Sequence, residues 1–108
     1  MLEITDHLLI KLGEECSEVS KEVSKALLFG YDDYAPSDEE TNVEKIEYEL
    51  NDLLGVIDML IEAQVLNGDK VTSLSGRIQK RTKIKKWMKY SQEQKLTSSD
   101  DDVDLLFP

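Results

Sequence analysis

Cysteine is almost missing from this chain. Cys16 is the single one, so no disulfide framework can form within it. With 2 prolines and 5 glycines in 108 residues, little interrupts a helix. β-branched and aromatic residues do not gather into alternating runs, which argues against strands. No apolar run nears the roughly 18 residues a membrane span needs. The N-terminal Met1-Leu2-Glu3-Ile4-Thr5-Asp6 lacks the basic flank and apolar stretch of a signal peptide. The expectation is therefore a cytoplasmic protein with no membrane partner. Histidine is also scarce. His7 alone, on the expected surface near the start of the first helix, excludes a Ser/His/Asp set and the paired Glu-x-x-His motifs of a di-iron bundle. No Gly-x-x-x-x-Gly-Lys loop occurs, so a P-loop is excluded. Basic charge is the last deficit: 13 Lys+Arg stand against 23 Asp+Glu, a net charge of −10. Such a surface repels nucleic acid in bulk, and no direct nucleic-acid binding is expected. A polyanion can bind only where cations or a metal reverse the local field, so phosphate chemistry here should be metal-mediated.

What remains is helical periodicity. A first helix is predicted from Thr5 or Asp6, with the apolar stripe Leu8, Leu12, Cys16, Val19, Val23, Ala26 and Leu27, stopping at Gly30. Cys16 on that stripe reads as a buried thiol. Tyr31 to Asn42 reads as an acidic loop containing Pro36, Asp32, Asp33, Asp38, Glu39 and Glu40, with Thr41 or Asn42 capping the next helix. That second helix is predicted over about Val43–Leu66, with Ile46, Leu50, Leu53, Ile57 and Leu60 broadened by Leu54 and Ile61; Asn67-Gly68 is its stop. A third is predicted over about Asp69–Tyr90, with Val71, Leu74, Ile78, Ile84 and Met88 opposite a basic face of Arg77, Lys80, Arg81, Lys83, Lys85, Lys86 and Lys89. Residues 92–108 carry Ser98-Ser99-Asp100-Asp101-Asp102 and are expected to be a disordered acidic tail after a helical domain over residues 1–91. Three helices with broad stripes make a thin core for one chain. The fold class is therefore all-α, an antiparallel helical bundle completed by oligomerisation.

Two acidic segments carry the chemistry. Glu15 and Glu18 are three residues apart on the first helix, as are Glu49 and Asp52 on the second. Residues i and i+3 share a helix face, so each pair can reach one hard cation. Each acid precedes a stripe residue by one position: Cys16, Val19, Leu50 and Leu53. The pairs should therefore lie along the edges of the buried faces and converge if the helices pack through them. Four clustered like charges repel one another, and a divalent ion relieves that repulsion. An all-oxygen set suits Mg²⁺ or Mn²⁺ rather than zinc. Taken singly, either pair reads as an ordinary solvated helix face. Their shared phase on adjacent helices is the stronger signal.

Glu14-Glu15-Cys16-Ser17-Glu18 followed by Glu49-Leu50-Asn51-Asp52 resembles the MazG-like all-α nucleoside triphosphate pyrophosphohydrolases. Ser24-Lys25-Ala26-Leu27-Leu28-Phe29-Gly30 with Asp32-Asp33, and Glu49 through Val56, are similar to the stretches around the two motifs in small bacterial and phage members. Lys83-Ile84-Lys85-Lys86-Trp87 with Tyr90-Ser91 looks like their basic last helix, so the resemblance runs from about Leu8 to Ser91. The interval between Glu18 and Glu49 is long for the family, and the acidic loop is the reason. The resemblance implies Mg²⁺-dependent hydrolysis of an NTP or dNTP to the monophosphate and pyrophosphate, by dimers or dimer-derived tetramers. It implies Glu15, Glu18, Glu49 and Asp52 as metal ligands, with Glu14 as a non-ligating carboxylate that orients water. Lys83 and Lys86 match triphosphate clamps, Lys25 is a further candidate, and Lys11 and Lys45 each sit one turn before a motif acid. The basic helix also reads as a solvated face. Phe29 and Tyr31 are candidates for stacking on a base, and Phe29 equally for a core or interface anchor.

A reading from another class stands beside this one. Asp100-Asp101-Asp102-Val103-Asp104-Leu105-Leu106-Phe107 joins an acidic run to an apolar tip. It resembles C-terminal peptides that dock on sliding clamps or replication proteins. On that reading the chain is a non-catalytic interaction protein with a protein partner for its tail; the plainer alternative is a solubilising end. A family member that binds nucleotide without cleaving it is argued against by the complete acid set.

Overall fold

A computed structural model of the chain describes residues 1–33 and 39–108. Pro36 and Asp38 of the expected loop lie outside the described residues. Among the described residues the chain is mostly helical and has no strand. It divides into two compact units, Met1–Asn67 and Gly68–Pro108. No helix among the described residues is long and apolar enough to cross a membrane.

The first unit is a hairpin of α1 (Ile4–Phe29) and α2 (Asn42–Glu62). The Asp6 carboxylate accepts the Glu3 N–H at 3.1 Å, tying down the first turn of α1. Gly30 ends that helix at φ 101°, a conformation that a Cβ disfavours, and its N–H returns to the Ala26 carbonyl at 2.9 Å. Thr41, not Asn42, caps α2. Its hydroxyl accepts the Glu44 N–H at 3.2 Å while the Glu44 carboxylate accepts the Thr41 N–H at 3.3 Å. Asn42 is buried instead, and its amide donates to the Gly30 carbonyl at 2.8 Å. The Val43 N–H donates to Tyr31 O at 3.0 Å. These bonds hold the end of α1 against the start of α2 and make the hairpin antiparallel.

The helices meet along one seam. On α1 the buried and half-buried positions include Leu8, Leu12, Glu15, Val19, Glu22 and Ala26; on α2 they include Asn42, Ile46, Glu49, Leu53, Val56 and Leu60. Both series step by four and three, the spacing of two helices packed at a shallow angle. Leu60 is fully buried and Leu8 and Ala26 nearly so. This corrects the expected stripe of α1, which ran through Cys16 and Val23. Cys16 is exposed, so the expectation of a buried thiol fails. The hairpin closes on the residues just before Cys16 and Val23, placing Glu15 and Glu22 where apolar side chains were expected. The row of Leu9, Cys16, Val23 and Leu27 faces outward, and so do Leu50 and Leu54, which were expected on the buried stripe of α2.

α2 also ends earlier than Leu66. Gln64 takes a left-handed φ of 62°, and the N–H groups of Val65 and Leu66 both return to the Leu60 carbonyl, at 3.0 and 3.2 Å. That local closure consumes the end of the helix before Asn67-Gly68 is reached.

The second unit holds α3 (Gly68–Val71), α4 (Leu74–Glu93) and α5 (Val103–Leu106). The expected single third helix is broken at Thr72-Ser73. Thr72 Oγ1 donates to the Gly68 carbonyl at 2.7 Å, and Ser73 Oγ accepts the Gly76 N–H at 3.1 Å as a new N-cap. The tail, expected to be disordered from Gln92, instead follows a defined path back along α4. Gln92 Nε2 donates to the carbonyls of Ser98 at 3.1 Å and Asp101 at 3.0 Å. Asp102 caps α5 by accepting the N–H groups of Asp104 and Leu105, and Val103 is buried. A single glutamine and one apolar anchor thus do what the composition of residues 98–102 did not suggest.

Candidate metal centre

The α1/α2 seam is apolar at its outer end, where Leu8 and Leu60 are buried, and acidic in its middle. Glu15 and Glu49 occupy seam positions and are half-buried, while Glu18 and Asp52 stand exposed beside them. This refines the expected placement of both pairs along the edges of the buried faces: the first acid of each pair lies in the seam and the second flanks it. Carboxylate oxygens of Glu15, Glu49 and Asp52 lie within 4.8 Å of one another. A second group, Glu18, Glu22 and Glu49, meets the same limit. Glu49 belongs to both. The four acids singled out from the sequence are thus brought together, divided between two overlapping groups with Glu49 common to them.

The electrostatics follow from the geometry. Partial loss of hydration raises the Glu49 carboxyl above its ordinary range, and the negative charges of Asp52, Glu18, Glu15 and Glu22 raise it further. A carboxylate that gathers like charges from both helices gains from any cation that joins it, a proton or a metal ion. The oxygen-only donor set fits a hard divalent ion.

Glu22 is the residue that sequence reasoning missed. It is 7% exposed, and its Oε2 has no hydrogen-bond partner. Its Oε1 lies 3.8 Å from Lys25 Nζ. The signal was present as Glu15-x-x-Glu18-x-x-x-Glu22, one face of α1, but the apolar stripe drawn through Val23 turned Glu22 toward solvent.

The chain matches no family model, no curated protein and no solved structure.

The remaining candidates are placed as follows. Glu14 is exposed and accepts from Lys11 Nζ at 2.9 Å, an ion pair that also raises the Lys11 ammonium above its ordinary value. Lys25 is half-buried beside Glu22, and Lys45 is half-buried one turn before Glu49. Lys83 and Lys86 are exposed on α4, in the second unit, with Lys86 Nζ 5.8 Å from the Trp87 ring centroid. Phe29 and Tyr31 are exposed at the hairpin turn, so Phe29 is not a core anchor within one chain.

Proposed function

We propose that this chain is a Mg²⁺-dependent nucleoside triphosphate pyrophosphohydrolase, converting an NTP or dNTP and water to the monophosphate and pyrophosphate. The observation that carries the reading is the convergence of Glu15 and Glu49, half-buried in the middle of a helix–helix seam, with Glu18 and Asp52 exposed at its flanks. Acids on an outward face are unremarkable. Acids in a packing seam raise the energy of the folded chain unless a cation offsets their repulsion. The resemblance of the two motifs to MazG-like enzymes names the reaction.

The residues then divide the work. Glu15, Glu49 and Asp52, with Glu18 beside them in the overlapping group, would hold divalent metal. When bound, Mg²⁺ supplies positive charge for the triphosphate oxygens and for the departing pyrophosphate. Glu14 holds the attacking water as a hydrogen-bond acceptor, with Lys11 fixing its carboxylate. Lys25 and Lys45, on the same hairpin, are cations for phosphate oxygens that the acids alone would repel. Two copies pair through the outward apolar row of Leu9, Val23 and Leu27 on α1 and of Leu50 and Leu54 on α2. A monomer by light scattering would remove the pairing from this proposal.

The deciding experiment is pyrophosphate release by the purified chain from a panel of ribo- and deoxynucleoside triphosphates, with Mg²⁺ and then with EDTA. Metal-dependent release of monophosphate and pyrophosphate supports the reading, and the best substrate names the base. No turnover across the panel by folded protein overturns it. The alternative is then a binding module, which Leu105, 81% exposed at the tip of the tail, favours. Deleting Leu105 to Phe107 would abolish partner capture in that case.

A further inference from the structure

We propose that Glu22 gives the acidic seam a second cation position, formed by Glu18, Glu22 and Glu49, beside the one formed by Glu15, Glu49 and Asp52. This rests on the metal-centre reading above and extends it by a ligand that the two acidic motifs do not contain.

Three observations converge. The first is geometric. The ligand oxygens of Glu18, Glu22 and Glu49 all lie within 4.8 Å of one another. Oxygens on opposite sides of a Mg²⁺ stand about 4.2 Å apart, twice the usual metal–oxygen distance. Small side-chain adjustments close that difference. The second is the state of Glu22 itself. A carboxylate that is 7% exposed should have its oxygens satisfied, yet Oε2 has no partner. Lys25 does not fill that role. Its Nζ is 3.8 Å from the other oxygen, against the ~2.7–2.9 Å of a charge-assisted bond. Glu22 therefore holds a buried, unused acceptor, and its carboxylate is one that reaches Glu18 and Glu49. The third is stoichiometric. Mg²⁺ dehydrates reluctantly and usually takes only one or two carboxylates, keeping waters or phosphate oxygens for its other positions. Five carboxylates exceed what one such ion uses. Glu49, common to both groups, has two oxygens and can give one to each ion.

The test uses Mn²⁺ alone, with no nucleotide, titrated into the full chain to millimolar concentration and counted by the paramagnetic signal of the free ion. The wild-type chain should bind two ions. E22Q should lose one of them, or bind it more than about tenfold more weakly. E18Q should affect the same ion, and because Glu18 is exposed, that variant keeps the test valid if E22Q folds poorly. D52N should affect the other ion, and E22Q with D52N should affect both. E22Q and E18Q binding two ions with unchanged affinity would overturn the proposal while leaving the first position intact. A wild-type chain that binds one ion, lost in D52N alone, would also overturn it. Binding of two ions without turnover on any triphosphate would leave the second position standing and remove the enzymatic reading instead.

Discussion

The two units of this chain handle charge in opposite ways. In the hairpin, Glu15, Glu18, Glu22, Glu49 and Asp52 gather like charges along a packing seam. In the second unit, Asp104 on α5 meets Lys89 at 2.7 Å and Lys85 at 3.4 Å, opposite charges paired on an exposed surface. The hydrogen bond from Lys89 leads the effects that hold the Asp104 carboxyl below its ordinary range, whereas Glu49 is raised above its own. The second arrangement is satisfied within the chain. The first is not, since the buried Glu22 Oε2 has no hydrogen-bond partner. A site built for a cation should show this asymmetry: rigid elements hold the ligands in a costly arrangement, and binding relieves the cost.

Removing one acid from the seam should have the largest effect. Glu49→Gln and Asp52→Asn should reduce Mg²⁺-dependent pyrophosphate release by more than the roughly 10- to 100-fold that losing an outer-shell partner of a metal costs. Glu49→Gln should be the more severe of the two, because Glu49 serves both groups. The helical circular-dichroism signal should be unchanged in each. Turnover at wild-type rates in either variant would show that the cluster is only a crowded surface.

Apolar and acidic positions of the same seam should respond in opposite directions to truncation and replacement. Leu60→Ala, at the fully buried position, should destabilise the chain by about 2–5 kcal/mol in denaturant unfolding. Glu22→Leu, measured in EDTA, should instead stabilise it by about 1–3 kcal/mol, because it removes a buried carboxylate oxygen that has no hydrogen-bond partner. The same variant should lose part of the stabilisation that added Mg²⁺ gives the wild-type chain. A destabilised Glu22→Leu chain in EDTA would mean that Glu22 serves the fold rather than a ligand.

How much of this was legible in the sequence depends on which physical signal each feature leaves. The hairpin helices were legible because Leu8, Leu12, Val19 and Ala26, and Ile46, Leu53, Ile57 and Leu60, repeat with helical period. The acid pairs were legible because three-residue spacing fixes a shared face. The seam itself was not. A stripe drawn by hydrophobicity selects Cys16 and Val23, and the hairpin instead closes on Glu15 and Glu22. An apolar pattern cannot reveal acids in a packing seam, because it assumes that buried positions are apolar. The path of the tail was missed for a related reason. Its order rests on Gln92 bonding to two carbonyls and on the single buried Val103, neither of which changes the average composition of residues 92–108. The break at Thr72-Ser73 is a competition between local caps and helix continuation, and Ser73 is where the local bond wins.

pH offers a finer contrast between the two regions. Glu49 has a raised carboxyl, so the folded hairpin holds its proton more tightly than the unfolded chain does. In EDTA its contribution to stability is present at acid pH and is lost as pH rises through that raised range. Asp104 is lowered, so its contribution is present at neutral pH and is lost as pH falls through the lowered range. Mg²⁺ should reverse the first trend and leave the second alone, because ligands must be deprotonated to bind metal. Unfolding curves with and without Mg²⁺ between acid and neutral pH would separate them. A hairpin whose pH dependence ignores Mg²⁺ would count against metal binding at Glu49.

The smallest effect belongs to the matched pair. Lys85, Lys89 and Asp104 are solvent-accessible, and such pairs gain little because water solvates the separated charges well. Asp104→Asn should therefore leave the midpoint of global unfolding almost unchanged. Its effect should appear locally, as faster hydrogen exchange at Leu106 and Phe107, whose N–H groups donate to Asp102 and Val103 within α5. At about 1 M salt, where the screening length falls to roughly 3 Å, the wild-type chain should exchange as fast as the variant. If the tail stays equally protected in Asp104→Asn at low salt, then Val103 and Gln92 hold it alone. The charges of the second unit would then be incidental, and the contrast with the hairpin would rest on the acidic seam by itself.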